Sequence, residues 1–281
     1  MNDIVIRAPD ESERDKFYEV YMSGLPGVDE LPEERFHKWW ERSRESGTLT
    51  KLWRVAVLGD EIVGVVINIL NSELNWGFVW ELAVLPEHRQ KGIGSKLVEQ
   101  SEQLLLAQSP SISHLAIGVK TDNFRALALY EKMDYGMTYL ILRLRGKKWI
   151  PDMKPELYFK DPEPSMVDAF MTLTPDAYWG NRDKASWLET ISQEGLAVTD
   201  SQGSPIGYVR FIKQEVEDPH TEIPFHVQEG YGPMVLNACM DLVESDIVEL
   251  WVQDNHQDIL DLLYEKGFKR MESEFLLRKR V

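Results

Sequence analysis

The chain of 281 residues carries 31 Lys and Arg against 47 Asp and Glu, a formal charge of -16, with one cysteine and 43% apolar residues. Such acidity argues against nucleic acid and anionic membrane surfaces as partners, because both require a dense basic surface. At ~150 residues per domain the length suggests two domains, and Cys239 alone supports neither an internal disulfide nor a zinc cluster.

No run of ~18 apolar residues occurs, and Met1-Asn2-Asp3-Ile4 shows no basic run ahead of an apolar stretch, so a soluble cytoplasmic protein is expected. In chain order, residues 3–7 alternate like a short strand. Asp10 and Glu13 form a capping-box pair that opens a helix stopping near Gly24. Pro32 suits the first turn of a second helix, carrying Phe36, Trp39 and Trp40 and ending near Gly47. Strands at 51–58 and 61–70 meet in a hairpin at Gly59-Asp60, and a third strand covers 76–84. A helix over 92–108, a strand at 113–119, a helix over 122–133 and a strand at 137–145 complete a mixed α/β order, with helices flanking a central sheet. The stretch from Gly146 to Pro164 also holds Pro151, Pro155 and Pro162, which interrupt regular structure and place a seam near 148. Before that seam stand 19 basic and 22 acidic residues, after it 12 and 25, so the first half opposes a polyanionic ligand far less.

The informative segment runs from Glu81 to Ser95. Pro86 ends an apolar strand, and Gly92 and Gly94 let backbone N–H groups converge at a helix start, where the dipole favours an anion. Arg89 and Lys91 add positive charge. Glycines there also serve in plain tight connections. Arg89-Gln90-Lys91-Gly92-Ile93-Gly94 resembles the R/Q-x-x-G-x-G/A acetyl-CoA signature of the GNAT superfamily of N-acyltransferases. Asn123-Phe124-Arg125-Ala126-Leu127-Ala128-Leu129-Tyr130-Glu131-Lys132 is similar to that family's second signature helix, with Asn123 and Tyr130 two turns apart. Neither a Walker loop nor a dinucleotide fingerprint is present.

The resemblance implies acetyl-CoA as acyl donor and a small-molecule or peptide amine as acceptor, the amine attacking the thioester directly. It implies cofactor contacts from Leu82, Ala83, Val84, Arg89, Gln90, Lys91, Gly92, Ile93, Gly94, Ser95, Asn123 and Tyr130. Tyr130 matches the general acid for the departing thiolate, or a group that only positions the sulfur. The general base is open. Strand alternation puts Phe78, Trp80 and Leu82 on the face where relatives carry a carboxylate, and Glu81 on the other. A water relay or a base from elsewhere stands beside Glu81. Phe78, Trp80, Trp39 and Trp40 line an acceptor pocket or are ordinary core.

The pattern recurs. Glu229-Gly230-Tyr231-Gly232-Pro233 aligns with Lys91-Gly92-Ile93-Gly94-Ser95, and Tyr264-Glu265-Lys266 repeats Tyr130-Glu131-Lys132. Val227 replaces Arg89, Glu229 replaces Lys91, Pro233 replaces Ser95 and Gln257 replaces Asn123, so a cation and an N–H donor are lost. The expectation is α/β with two GNAT-like domains, each a mixed central sheet flanked by helices: a catalytic domain over 1–148 and a degenerate copy over 149–281. His220, Glu222 and His226 are separated by Pro224 and are not expected to hold a metal. A non-catalytic acyl-CoA sensor is the alternative.

Overall fold

The computed structural model describes residues 3–25, 31–151, 156–193, 195–214 and 218–281. The chain forms two compact units. Unit 1 takes residues 1–118, 125–136 and 277–281, and unit 2 takes 119–124 and 137–276. The division therefore differs from a single seam at 148: the strand ending at Lys147 belongs with unit 2, and the last five residues belong with unit 1.

In chain order the first elements are β1 (Ile4–Arg7), α1 (Arg14–Gly24), α2 (Glu33–Glu45), α3 (Thr48–Leu52), β2 (Arg54–Leu58), β3 (Glu61–Asn71), β4 (Trp76–Val84), α4 (Ile93–Gln108), β5 (His114–Lys120), α5 (Phe124–Lys132) and β6 (Gly136–Lys147). The strand expected from 51 begins later, because left-handed Gly47 (φ 72°) starts the short α3 first. The capping box is present: Glu13 accepts from the Asp10 amide at 2.7 Å. Strands β1 to β4 run antiparallel in sequence order, and β5 then joins β4 in parallel. Residues 277–281 complete unit 1, where Lys279 pairs with Glu102 of α4 at 2.9 Å. One face of the sheet packs on α1, α2 and α3 through Phe17, Phe36, Trp40, Leu49, Trp53, Val65 and Ile67. Trp40 is thus core, as the plainer of its two readings has it.

Unit 2 continues with β7 (Tyr158–Lys160), α6 (Val167–Phe170), β8 (Thr174–Pro175), α7 (Lys184–Ile191), β9 (Leu196–Thr199), β10 (Pro205–Val209), β11 (Ile212–Gln214), β12 (His220–Glu222), β13 (Phe225–Val227), α8 (Gly232–Cys239), β14 (Ile247–Gln253), α9 (Gln257–Glu265) and β15 (Lys269–Arg280). Here β6 pairs antiparallel with β14 over seven registered positions, and β14 pairs parallel with β12. A second sheet has the order β7-β9-β10-β13-β8. Glu249 on β14 is buried and held by Arg143 and Arg145 of β6 at 2.8 and 2.6 Å. Those two cations compensate a charge that burial alone would not tolerate.

Candidate active site

In unit 1, β4 and the turn that follows it form a shaped opening. The parallel pairing of β4 with β5 runs from Trp76 to Val79 and stops. On the other edge the pairing with β3 continues to Val84. From Trp80 onward β4 has no register partner on β5, so this edge of the strand diverges from its parallel neighbour.

A β-bulge corrects the sequence-based reading of the strand faces. Glu81 lies opposite Ile67 and Val79 lies opposite Asn68, so Trp80 is an extra residue without a register partner. The bulge resets the alternation. Glu81 shares a face with Phe78 and Ala83, while Leu82 turns to the opposite face, because partners across a ladder point the same way. Side-chain surroundings agree. Ala83 packs in the cluster of α1 and α2, whereas the Leu82 Cδ2 lies 4.0 Å from where a Cβ on Gly94 of α4 would stand. The carboxylate is thus on the face that strict alternation denied it.

Two tyrosines gather at Glu81. Tyr21 of α1, 4% exposed, is packed in the cluster that holds Ala83 and the Glu81 register partner Ile67, and its hydroxyl feels the Glu81 charge. Burial and the Glu81 charge push the Tyr21 hydroxyl far above its ordinary range. Tyr130 of α5, 6% exposed, is pushed up to about 12, first by burial and then by the Glu81 charge. Tyr21 was not among the residues singled out from sequence. Its only local signal is the apolar stripe Phe17, Tyr21, Gly24 at helical spacing, which reads equally as core.

The turn after β4 is built for close backbone approach. Gln90 and Gly92 both adopt left-handed conformations (φ 61° and 79°), and a Cβ at Gly92 would meet nothing within 4 Å. Gly92 caps α4 without any side-chain hydrogen bond, and the helix ladder begins with the Lys96 amide on the Gly92 carbonyl (3.1 Å). The amides of Ile93, Gly94 and Ser95 have no partner inside the helix, and its dipole reinforces them. Lys91 and Gln90 are exposed beside them. Arg89 has a different place from the one expected: its Nε and Nη2 donate to the Val84 and Gly24 carbonyls, each at 3.1 Å. It ties β4, the turn and α1 together. Asn123 stands one residue before α5, its amide on the Lys120 carbonyl at 3.0 Å.

Residues 14–135 match the model of the acetyltransferase (GNAT) family. An acetyltransferase of Sodalis glossinidius is 32% identical over 104 residues, covering 37% of this chain and 69% of that protein. The chain belongs to the GNAT family. An uncharacterized N-acetyltransferase of Archaeoglobus fulgidus is 29% identical over 144 residues, 46% of this chain and 90% of that protein. Among solved structures, a GCN5-related N-acetyltransferase from Sphaerobacter thermophilus matches with TM-score 0.69 at 16% identity, over 99% of this chain and 95% of that one. A tandem GNAT protein from the clavulanic acid biosynthesis pathway matches with TM-score 0.66 at 14% identity, over 99% and 98%. At these identities the agreement is one of fold, and it extends through both units. The protein is an acyltransferase of a family that uses acetyl-CoA as acyl donor and acts on amines of small molecules or peptides. The residues present fit that donor: uncapped helix amides and left-handed Gly92 suit a pyrophosphate, and the unpaired edge of β4 suits an extended amide chain.

The second GNAT copy has the same plan with its slot filled. After Glu222 the chain breaks at Pro224 and leaves β14, and β13 pairs instead with β10. Into that divergence runs the protein's own segment from Thr174. β8 pairs with β13, the Asp176 amide donates to the Phe225 carbonyl, and the Gln253 amide at the end of β14 donates to the Asp176 carbonyl, both at 2.8 Å. His256 Nε2 and the Gln253 side chain donate to the Pro175 carbonyl at 2.8 and 3.1 Å. Gly230 keeps the left-handed turn (φ 82°), but Pro233 enters the first turn of α8, and a Cβ on Gly232 would lie 2.5 Å from Ile259. At Gly94 the nearest such atom is 3.4 Å away.

His220 and His226 lie on separate strands, each ring held by a backbone carbonyl: Asp218 for His220 and Gly180 for His226, both at 2.8 Å. Burial pushes the Cys239 thiol above its ordinary range, which suits a packing residue rather than a nucleophile. No helix among the described residues is long and apolar enough to cross a membrane.

Proposed function

We propose that unit 1 transfers the acetyl group of acetyl-CoA directly to a primary amine, and that unit 2 holds no second donor. The bulge at Trp80 carries this reading, because it turns the Glu81 carboxylate onto the side of β4 that faces α1. A carboxylate there, beside Tyr21, is suited to take a proton from the acceptor's ammonium, freeing the amine that attacks, or from its nitrogen as the C–N bond forms, directly or through one water. Within the stretch from Leu82 to Val84, the groups of Leu82 and Val84 that point away from β3 hold the donor along the edge without β5 pairing, and the amides of Ile93, Gly94 and Ser95 take its pyrophosphate. Lys91, exposed beside the turn, adds charge.

Tyr130 supplies a hydrogen bond to the departing sulfur rather than a whole proton. Its hydroxyl, pushed up to about 12, is protonated at neutral pH. A thiol titrates near ~8.5, so full transfer from Tyr130 to a thiolate is uphill by ~3 units, ~4–5 kcal/mol. Unit 2 is assigned a structural role on the strength of its filled slot.

Thiol release from acetyl-CoA across a panel of amines tests the proposal. Wild type releases thiol in an amine-dependent way, and Glu81→Gln lowers that rate by roughly 10²–10⁴, the usual worth of a positioned base, while still binding acetyl-CoA. Binding without amine-dependent release in wild type would identify a sensor and overturn it.

A further inference from the structure

Accepting Glu81 as the base of unit 1, we propose that Tyr21 is its positioning residue: from α1 its hydroxyl holds the carboxylate in one orientation on the acceptor side of β4. A buried tyrosine near a carboxylate would alone be unremarkable in a protein core, so the weight falls on how α1 is seated. Phe17, Val20, Tyr21 and Gly24 are the buried residues of α1, and Phe17, Tyr21 and Gly24 share one stripe at i, i+4 and i+7. At its end, a Cβ on Gly24 would lie 2.8 Å from the Ala83 Cβ and 3.0 Å from the Val84 nitrogen. Only glycine permits the helix to approach the strand that closely. The Arg89 guanidinium then joins the Gly24 and Val84 carbonyls at 3.1 Å each. Helix, strand and phosphate turn are thereby registered at Gly24, Ala83 and Val84, one helical turn and two strand residues from the Tyr21–Glu81 pair.

A residue so placed links donor binding to the base, since the turn that would hold the pyrophosphate is stapled to the helix that orients Glu81. The groups acting on Tyr21 are Glu81 on β4 and Arg35 on α2, and Glu81 also acts on Tyr130 of α5. A hydroxyl donating to a carboxylate favours its charged form, so loss of the donor raises the pH at which the base is protonated.

Tyr21→Phe keeps the ring and removes the hydroxyl that the proposal assigns to Glu81. In this variant the acidic limb of the kcat/KM profile for the amine moves to higher pH by roughly one unit, the usual worth of a hydrogen bond to a charged group. The KM for acetyl-CoA stays within about twofold, and in a Glu81→Gln background the same substitution changes nothing further. An unmoved pH profile in Tyr21→Phe, with Glu81→Gln inactive, overturns the positioning role and leaves the base assignment standing. A fully active Glu81→Gln overturns the base assignment, and the positioning role with it.

Discussion

Gly92 and Gly230 are matched probes of the two copies. Each has φ near 80° (79° and 82°), each would place a Cβ within 4 Å of nothing, and each ends the turn before a helix. Alanine at either position therefore meets no clash and costs only the left-handed strain, ~1–2 kcal/mol, less the ~0.4–1 kcal/mol gained by restricting the unfolded chain. Both variants should lose about 1 kcal/mol in urea unfolding. Only in Gly92→Ala does the new methyl enter the space through which a pyrophosphate approaches the α4 amides. Losing one or two charge-assisted hydrogen bonds there weakens binding by roughly a hundredfold. With acetyl-CoA at ~100 times the wild-type Kd, wild type and Gly230→Ala gain ~2.7 kcal/mol from the ligand, and Gly92→Ala gains ~0.4 kcal/mol. A Gly92→Ala protein stabilised as much as wild type would refute the phosphate turn. A Gly230→Ala protein that lost the ligand effect would refute the filled second slot.

Two further outcomes follow from the same geometry. Arg89→Ala leaves the Val84 and Gly24 carbonyls without their donor and should destabilise the ligand-free protein by ~1–3 kcal/mol, which an arginine reserved for phosphate would not do. Asp176, in the segment filling the second slot, is pushed up to about 7, above all by burial. Folded protein thus retains the Asp176 proton longer than the unfolded chain does. Its contribution is full below pH ~4 and is lost as pH rises toward about 7, a change on the order of a few kcal/mol. Neighbouring His226, pushed down to about 3 by burial, acts in the opposite direction between about pH 3 and ~6.5. The test is therefore the difference in unfolding free energy between wild type and Asp176→Asn, which should fall from pH 4 to 7. A difference independent of pH would contradict the burial of that carboxyl.

What could be read from the sequence was local. The strand over 76–84, the glycine turn and the helices after it announce themselves by period, proline and glycine, and all lie close to their expected limits. The bulge at Trp80 has no such signal. Its position is set by pairing with β3, and a one-residue insertion reverses every later side chain, which is why Glu81 was placed on the wrong face. Tyr21 carries no local signal in the sequence, because Glu81 is sixty residues away and the stripe of α1 reads as core. Arg89 carries a signature position yet is spent on two carbonyls, so a motif match located the turn without revealing the side chain's use. The division into units was hidden for the same non-local reason: the strand after α5 pairs with β14, a hundred residues onward. The departures of the second copy from the signature were legible in Pro233 and Glu229. That Thr174 to Asp176 fill the slot was not, since nothing local marks a segment as an insert between two strands.

The central claim is a single donor site per chain, held by unit 1. Calorimetric titration of the full chain with acetyl-CoA measures it directly. One site per chain is predicted, weakened about a hundredfold in Gly92→Ala and intact in Gly230→Ala. Two equivalent sites per chain, or one site whose affinity is unchanged in Gly92→Ala, would contradict it.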